Sequence, residues 1–139
     1  MTLPGSRRAI SIAEKIPSQM ADADVLCLKI RNLLQSSGHS PACFAVELLA
    51  RECLANAINH GNKKHSDKSV SLRLSVGPVW IRLEVVDEGL GFPWRKASRD
   101  NTSLTACSGR GLGLYALYAG RVRFNNAGNK ITLWVSSKN

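Results

Sequence analysis

Four things are scarce in this sequence, and each scarcity narrows the classes of protein it can be. No apolar run approaches the roughly 18–20 residues needed to cross a bilayer, and the opening "MTLPGSRRAI" lacks the apolar segment of a secretory signal. The expectation is a cytoplasmic protein with no membrane partner. Cysteines are few: Cys27, Cys43, Cys53 and Cys107 form no C-x-x-C pair and sit among apolar or small residues. That excludes a zinc knuckle and a disulfide framework and predicts reduced, mostly buried thiols. Acids are outnumbered, ten Asp and Glu against nineteen Lys and Arg, which leaves a formal charge of +9 and favours an acidic partner, a nucleotide or a nucleic acid. Aromatics are only 6%, and the basic groups "SRR", "NKKHSDK" and "WRKASR" are short and scattered. No basic stripe interleaved with aromatics is present, so nucleic acid is not the expected partner.

What remains is an ordinary globular composition, 44% hydrophobic over 139 residues, expected to form one domain over residues 1–139. Periodicity predicts a strand from Arg8 to Ile16 stopped by Pro17, then a helix from Ala21 to Ser36 that ends near Gly38. Ser40 and Pro41 read as cap and first residue of a second helix that runs to Gly61. Val70, Leu72, Leu74 and Val76 alternate cleanly, as do Val79, Ile81, Leu83 and Val85 after a turn at Gly77 and Pro78. About 93–110 is too polar for a core element and reads as a lid; "GRGLGLYALYAG" reads as a glycine loop opening a short helix, and the last segment as a hairpin. The architecture expected is a two-layer α/β (α+β) sandwich, with a mixed, mostly antiparallel sheet and helices on one face.

Three stretches carry chemistry. On the second helix Glu52, Asn56, Asn59 and His60 fall within roughly a quarter of the circumference, continuing a side that carries Ala45, Leu48 and Leu49 one or two turns earlier. Glu47 and Arg51 already supply a solvent face, and Asn is a poor helix-interior residue, so this polar sector faces something other than bulk water. A carboxylate and a neutral amide oxygen one turn apart suit a general base beside a magnesium ligand. The second stretch, "VVDEGLGFP", ends a strand in Asp87 with Gly89 and Gly91 following; alone it is a turn, though such a turn can bring backbone close to a flat ligand. In the third, "GRGLGL", glycines alternate just before a helix, where unsatisfied amides attract phosphate. No βαβ unit surrounds it, which sets a Rossmann reading aside.

In order, "ECLANAINHG", "DEGLGF" and "GRGLGL" closely resemble the N box and two glycine boxes of the Bergerat-fold (GHKL) ATPases. Within that superfamily the short length and the H-G after the N box look most like the anti-sigma factor serine/threonine kinases of bacterial partner-switching systems. The resemblance spans about Arg8 to Val135. It implies ATP and Mg2+ as cofactors, Glu52 as the base that takes the substrate hydroxyl proton, and Asn56 as the magnesium ligand. It implies Asp87 as acceptor from the adenine amino group, with Gly89 and Gly91 shaping the pocket wall, and Gly109, Arg110, Gly111, Leu112 and Gly113 at the phosphates. As partners it implies a STAS-type anti-sigma factor antagonist, a sigma factor competing for the same domain, and a homodimer. His60 matches the N-box ending, with a structural role at a helix end as the plainer reading. Arg95, Lys96 and Arg99 would sit in the lid. Two residues depart from the family pattern: Cys107 where related kinases often carry Arg, and Asn129 after Gly128 where Thr is usual.

Three other readings stay open. One is an ATP-binding regulator that transfers nothing, and another the catalytic domain of a split histidine kinase. The last is a basic nucleic-acid binder, which rests on charge alone.

Overall fold

The strand-forming segments become β1 (Ile10–Pro17), β2 (Ser69–Val76), β3 (Trp80–Val86), β4 (Arg121–Phe124) and β5 (Lys130–Ser136). The helices are α1 (Met20–Ser36), α2 (Ser40–Asn56) and a short α3 (Leu112–Tyr118). The computed structural model describes residues 10–95 and 112–138. Its five strands form one sheet in the order β1-β2-β3-β5-β4. Every described pairing is antiparallel, so the parallel pairing that a mixed sheet would contain is not found among the described strands.

Period-two alternation sets the register. Ile12, Leu74, Leu83, Leu133 and Val122 stand opposite one another across all five strands, and Leu72, Val85, Ile131 and Phe124 make a second row. A one-residue slip in any strand would turn its aliphatic set to the other face, so burial of these rows fixes the pairing. α1 packs on α2 and β1, while α2 packs on β3, β5 and α3, which closes one side of the sheet. Ile30, Leu34, Val46, Leu49 and Leu54 meet Leu72, Leu74, Ile81, Leu83 and Leu133 there in a layer sealed from water. Fully burying each such side chain contributes about 1.5–3 kcal/mol.

Two expectations at the helix ends are corrected. Ser40 lies inside α2 and makes no capping bond; His39 holds the cap position, buried, with its Nδ1 3.0 Å from the Ser37 hydroxyl, and the proline still occupies the first turn. The second helix is not α-helical to Gly61. It changes at Asn56 into a π-helical turn, Ala57–Gly61, in which the Asn62 amide reaches back to the Ala57 carbonyl at 2.7 Å. A π turn accommodates an extra residue and so rotates the residues beyond it about the helix axis. Val79, expected on the core face, is exposed just before β3.

The three described cysteines, Cys27, Cys43 and Cys53, are reduced and buried, and burial pushes the Cys53 thiol up to about 12. Cys107 lies outside the described residues. Among the described residues, no helix is long and apolar enough to cross a membrane.

Candidate functional site

The π turn delivers the helix end to the loop after β3. Gly61 lies so close to Asp87 that a Cβ there would overlap the carboxylate, and a Cβ on Gly89 would overlap the Gly61 carbonyl. The Asp87 Oδ1 accepts from the Gly89 amide at 2.8 Å, and the Asp87 amide donates to the Asn129 carbonyl at 2.9 Å. Gly91 has φ +86° and presses on the Ala127 carbonyl of the β4–β5 turn, where any side chain would collide. The glycines after Asp87 therefore serve backbone-to-backbone approach. They shape the pocket by letting helix end, loop and hairpin turn converge on one carboxylate.

A small cavity of about 40 Å³ lies at this convergence. Asp87 and Asn129 supply its polar rim, Val85, Ile131, Phe92 and Phe124 its apolar walls, and Asn56, Cys53 and Tyr115 its helix side. The rings of Phe92 and Phe124 meet edge to face at 5.1 Å, and Trp94 stacks on Phe124 at 5.6 Å while its indole donates to the Asn125 carbonyl at 2.8 Å. At roughly 10–15 Å³ per water the space takes a few waters, and it opens to the surface beside Phe92 and Phe124. The donor set suits a purine: a carboxylate to accept from an exocyclic amine, with flat apolar walls on either side.

On the helix side Asn56 Nδ2 donates to the Tyr115 hydroxyl at 2.6 Å. Tyr115 is buried, and burial, reinforced by neighbouring groups that include Glu52, keeps its phenol protonated well above its ordinary value. Because Nδ2 is engaged by Tyr115, Oδ1 is the acceptor atom of the Asn56 amide. Glu52 lies one turn earlier, half-buried, and does not line the cavity. His60, in the π turn, is exposed and does not line it either. Among the described residues no three His, Cys, Asp or Glu cluster as a metal site, so a divalent ion here would draw on Asn56 and on oxygens of its ligand.

Of the phosphate loop, Gly109, Arg110 and Gly111 lie outside the described residues, as do Lys96 and Arg99 of the expected lid. Leu112 opens α3, and a Cβ on Gly113 would meet open space. Arg95 lies over the Trp94 ring at 4.5 Å and bonds the Asn126 side chain at 3.0 Å, away from the cavity.

Two residues that pattern reading missed hold the loop. Asn62, fully buried, donates through Nδ2 to the Ser18 hydroxyl at 2.8 Å and the Ser69 carbonyl at 2.9 Å, and its Oδ1 accepts from the Glu88 amide at 2.8 Å. Asn125 Oδ1 accepts from the amides of Gly128, Asn129 and Lys130, folding the turn that Gly91 rests on. Their partners are distant in sequence or are backbone, which leaves no periodic signal.

The family model of the histidine kinase-like ATPase domain matches residues 16–135. The chain belongs to this family. No curated protein matches the chain. The match covers every element from α1 to β5 and agrees with the helix-covered antiparallel sheet. Histidine kinase-like ATPase domains bind ATP, and the Asp87 cavity between sheet and helix is where this one offers a polar rim with apolar walls.

Proposed function

We propose that the chain is an ATP- and magnesium-dependent serine/threonine protein kinase that phosphorylates a STAS-type anti-sigma factor antagonist and holds a sigma factor in competition with it. The observation that carries this reading is Glu52 one helical turn before Asn56, on the helix that ends against Asp87. Asp87 accepts from the adenine amino group, and Asn56, oriented by Tyr115, holds the metal. Glu52 takes the proton of the incoming serine hydroxyl, a role that a histidine acceptor would not need. Bound Mg-ATP supplies the phosphoryl group and the charge neutralisation that transfer requires; the protein contributes position.

The test incubates the protein with labelled ATP and the STAS protein of its gene neighbourhood, comparing wild type with Glu52→Gln. Transfer by wild type that falls by about 10²-fold or more in the variant supports the kinase. Absence of transfer by wild type refutes it. A second reading, an ATP-binding regulator without transfer, draws on Asn129, whose backbone carbonyl is bound to the Asp87 amide at 2.9 Å and whose side chain is bonded to Asn125 at 2.6 Å. It expects ATP binding lost in Asp87→Asn and no phosphorylated partner.

A further inference from the structure

The two faces of the molecule carry charge differently. In the helical layer each cation is matched: Lys29 pairs with Glu14, Arg31 with Glu47, and Arg51 with Asp24 and Glu47. Among the described residues, no helix packs on the opposite face of the sheet. Strand alternation places Lys15, Arg73, Arg82, Arg121, Arg123 and Lys130 on it, against one carboxylate, Glu84. Glu84 engages Lys130 at 3.1 Å and Arg82 at 3.4 Å. Among the described residues no carboxylate lies within ion-pair reach of Lys15, Arg73, Arg121 or Arg123. These cations spread over five strands, about 20 Å at the usual strand spacing.

We propose that this open sheet face docks a protein partner presenting acidic side chains. A second copy of the chain is disfavoured, since pairing the face with itself would set six cations against six. Nucleic acid fits less well than an acidic protein for two reasons. Arg82 and Arg121 stand opposite Trp134 from its two neighbouring strands, at 5.8 and 5.0 Å from the ring, so the indole is engaged by guanidinium groups rather than open to a stacked base. The face is also divided. One depression of about 390 Å³ lies by Lys15 and Arg73 and another of about 240 Å³ by Arg82, Arg123 and Lys130, with Thr132 buried beneath. Glu84 stands between them, opposite Arg73 on one side and Thr132 on the other. A continuous phosphate backbone would have to cross that carboxylate, whereas separate Glu or Asp side chains can seat on either side, each matched by the bidentate geometry of Arg.

The test measures fluorescence anisotropy of a labelled peptide of alternating Glu and Ser against the full chain, at low and at physiological salt. Arg73→Glu with Arg123→Glu is compared with Lys63→Glu with Lys64→Glu, which changes net charge equally at exposed positions off the face. The proposal expects salt-sensitive binding, weakened by about tenfold or more in the first pair and by much less in the second. Equal losses, or no binding by wild type, overturn it. Tighter binding of a dT20 oligonucleotide, lost in the face variant, assigns the face to nucleic acid instead and overturns it. A wild-type dimer in sedimentation that the face variant abolishes assigns it to a second copy and overturns it as well. Should the Glu variant fail to fold, Arg73→Gln with Arg123→Gln serves in its place, with the same expected direction.

Discussion

Asn62 satisfies a hydroxyl, a carbonyl and an amide from three separate segments while itself fully buried. Asn62→Ala would take this partner from the Ser69 carbonyl and the Glu88 amide, while the Ser18 hydroxyl keeps its bond to the Lys68 carbonyl, and at about 1–3 kcal/mol for an unsatisfied buried group the expected loss is about 2–4 kcal/mol in urea unfolding. Tyr115 acts differently, since its hydroxyl accepts from Asn56 Nδ2 at 2.6 Å. Tyr115→Phe is expected to cost about 1 kcal/mol of stability. Its more telling effect is on nucleotide binding: the gain in ATP affinity on adding magnesium should shrink, while affinity measured without magnesium stays near wild type. An equal loss under both conditions would show that Tyr115 only packs. Asn56 and Asp87, which both line the cavity, were legible in the sequence because each sits in a short motif with a fixed offset. Asn62 and Tyr115 were not, because the Asn62 bond to the Glu88 amide spans 26 residues and the Tyr115 bond to Asn56 spans 59.

Helix α2 and its continuation show where element reading holds and where it fails. The apolar pattern predicted the helix that α2 forms but not its buried side: Ala42, Val46, Leu49, Ala50 and Cys53 are buried, whereas Ala45 and Leu48, expected to face the core, are half-buried, and the π turn after Asn56 ends the α-helical period. Periodicity cannot register a local change of period until the chain has folded. The junction of α1 and α2 carries a pH-dependent clasp, in which the Arg31 Nε donates to Glu47 at 2.7 Å and holds that carboxyl below its ordinary value of 4.5. A carboxyl with a lowered folded value contributes stability that is complete above about pH 4.5 and is lost as pH falls through the folded value. The melting temperature of wild type should therefore exceed that of Glu47→Gln at neutral pH, with the gap closing as the pH falls below about 4.5. At the loop after β3, Gly91→Ala combines a positive φ with a collision at the Ala127 carbonyl and should cost more than about 1 kcal/mol.

Across the whole molecule, the two-layer architecture follows from alternation because a sheet covered on one side must sort its residues by face, whereas the strand order β1-β2-β3-β5-β4 is not written in it. The same sorting concentrates unmatched cations on the uncovered side, which a scan of the linear sequence reads as scattered charge. The site itself forms only when the helix end, the Asp87 loop and the β4–β5 turn converge, and the central claim is that this convergence binds ATP through Asp87. Thermal unfolding with and without millimolar Mg-ATP tests that claim directly. At about 100-fold excess over Kd a ligand adds about 2.7 kcal/mol to the folded state. Binding through Asp87 predicts a saturable rise in Tm for wild type and none for Asp87→Asn with an unchanged starting Tm; no rise in wild type, or an equal rise in both, would contradict it.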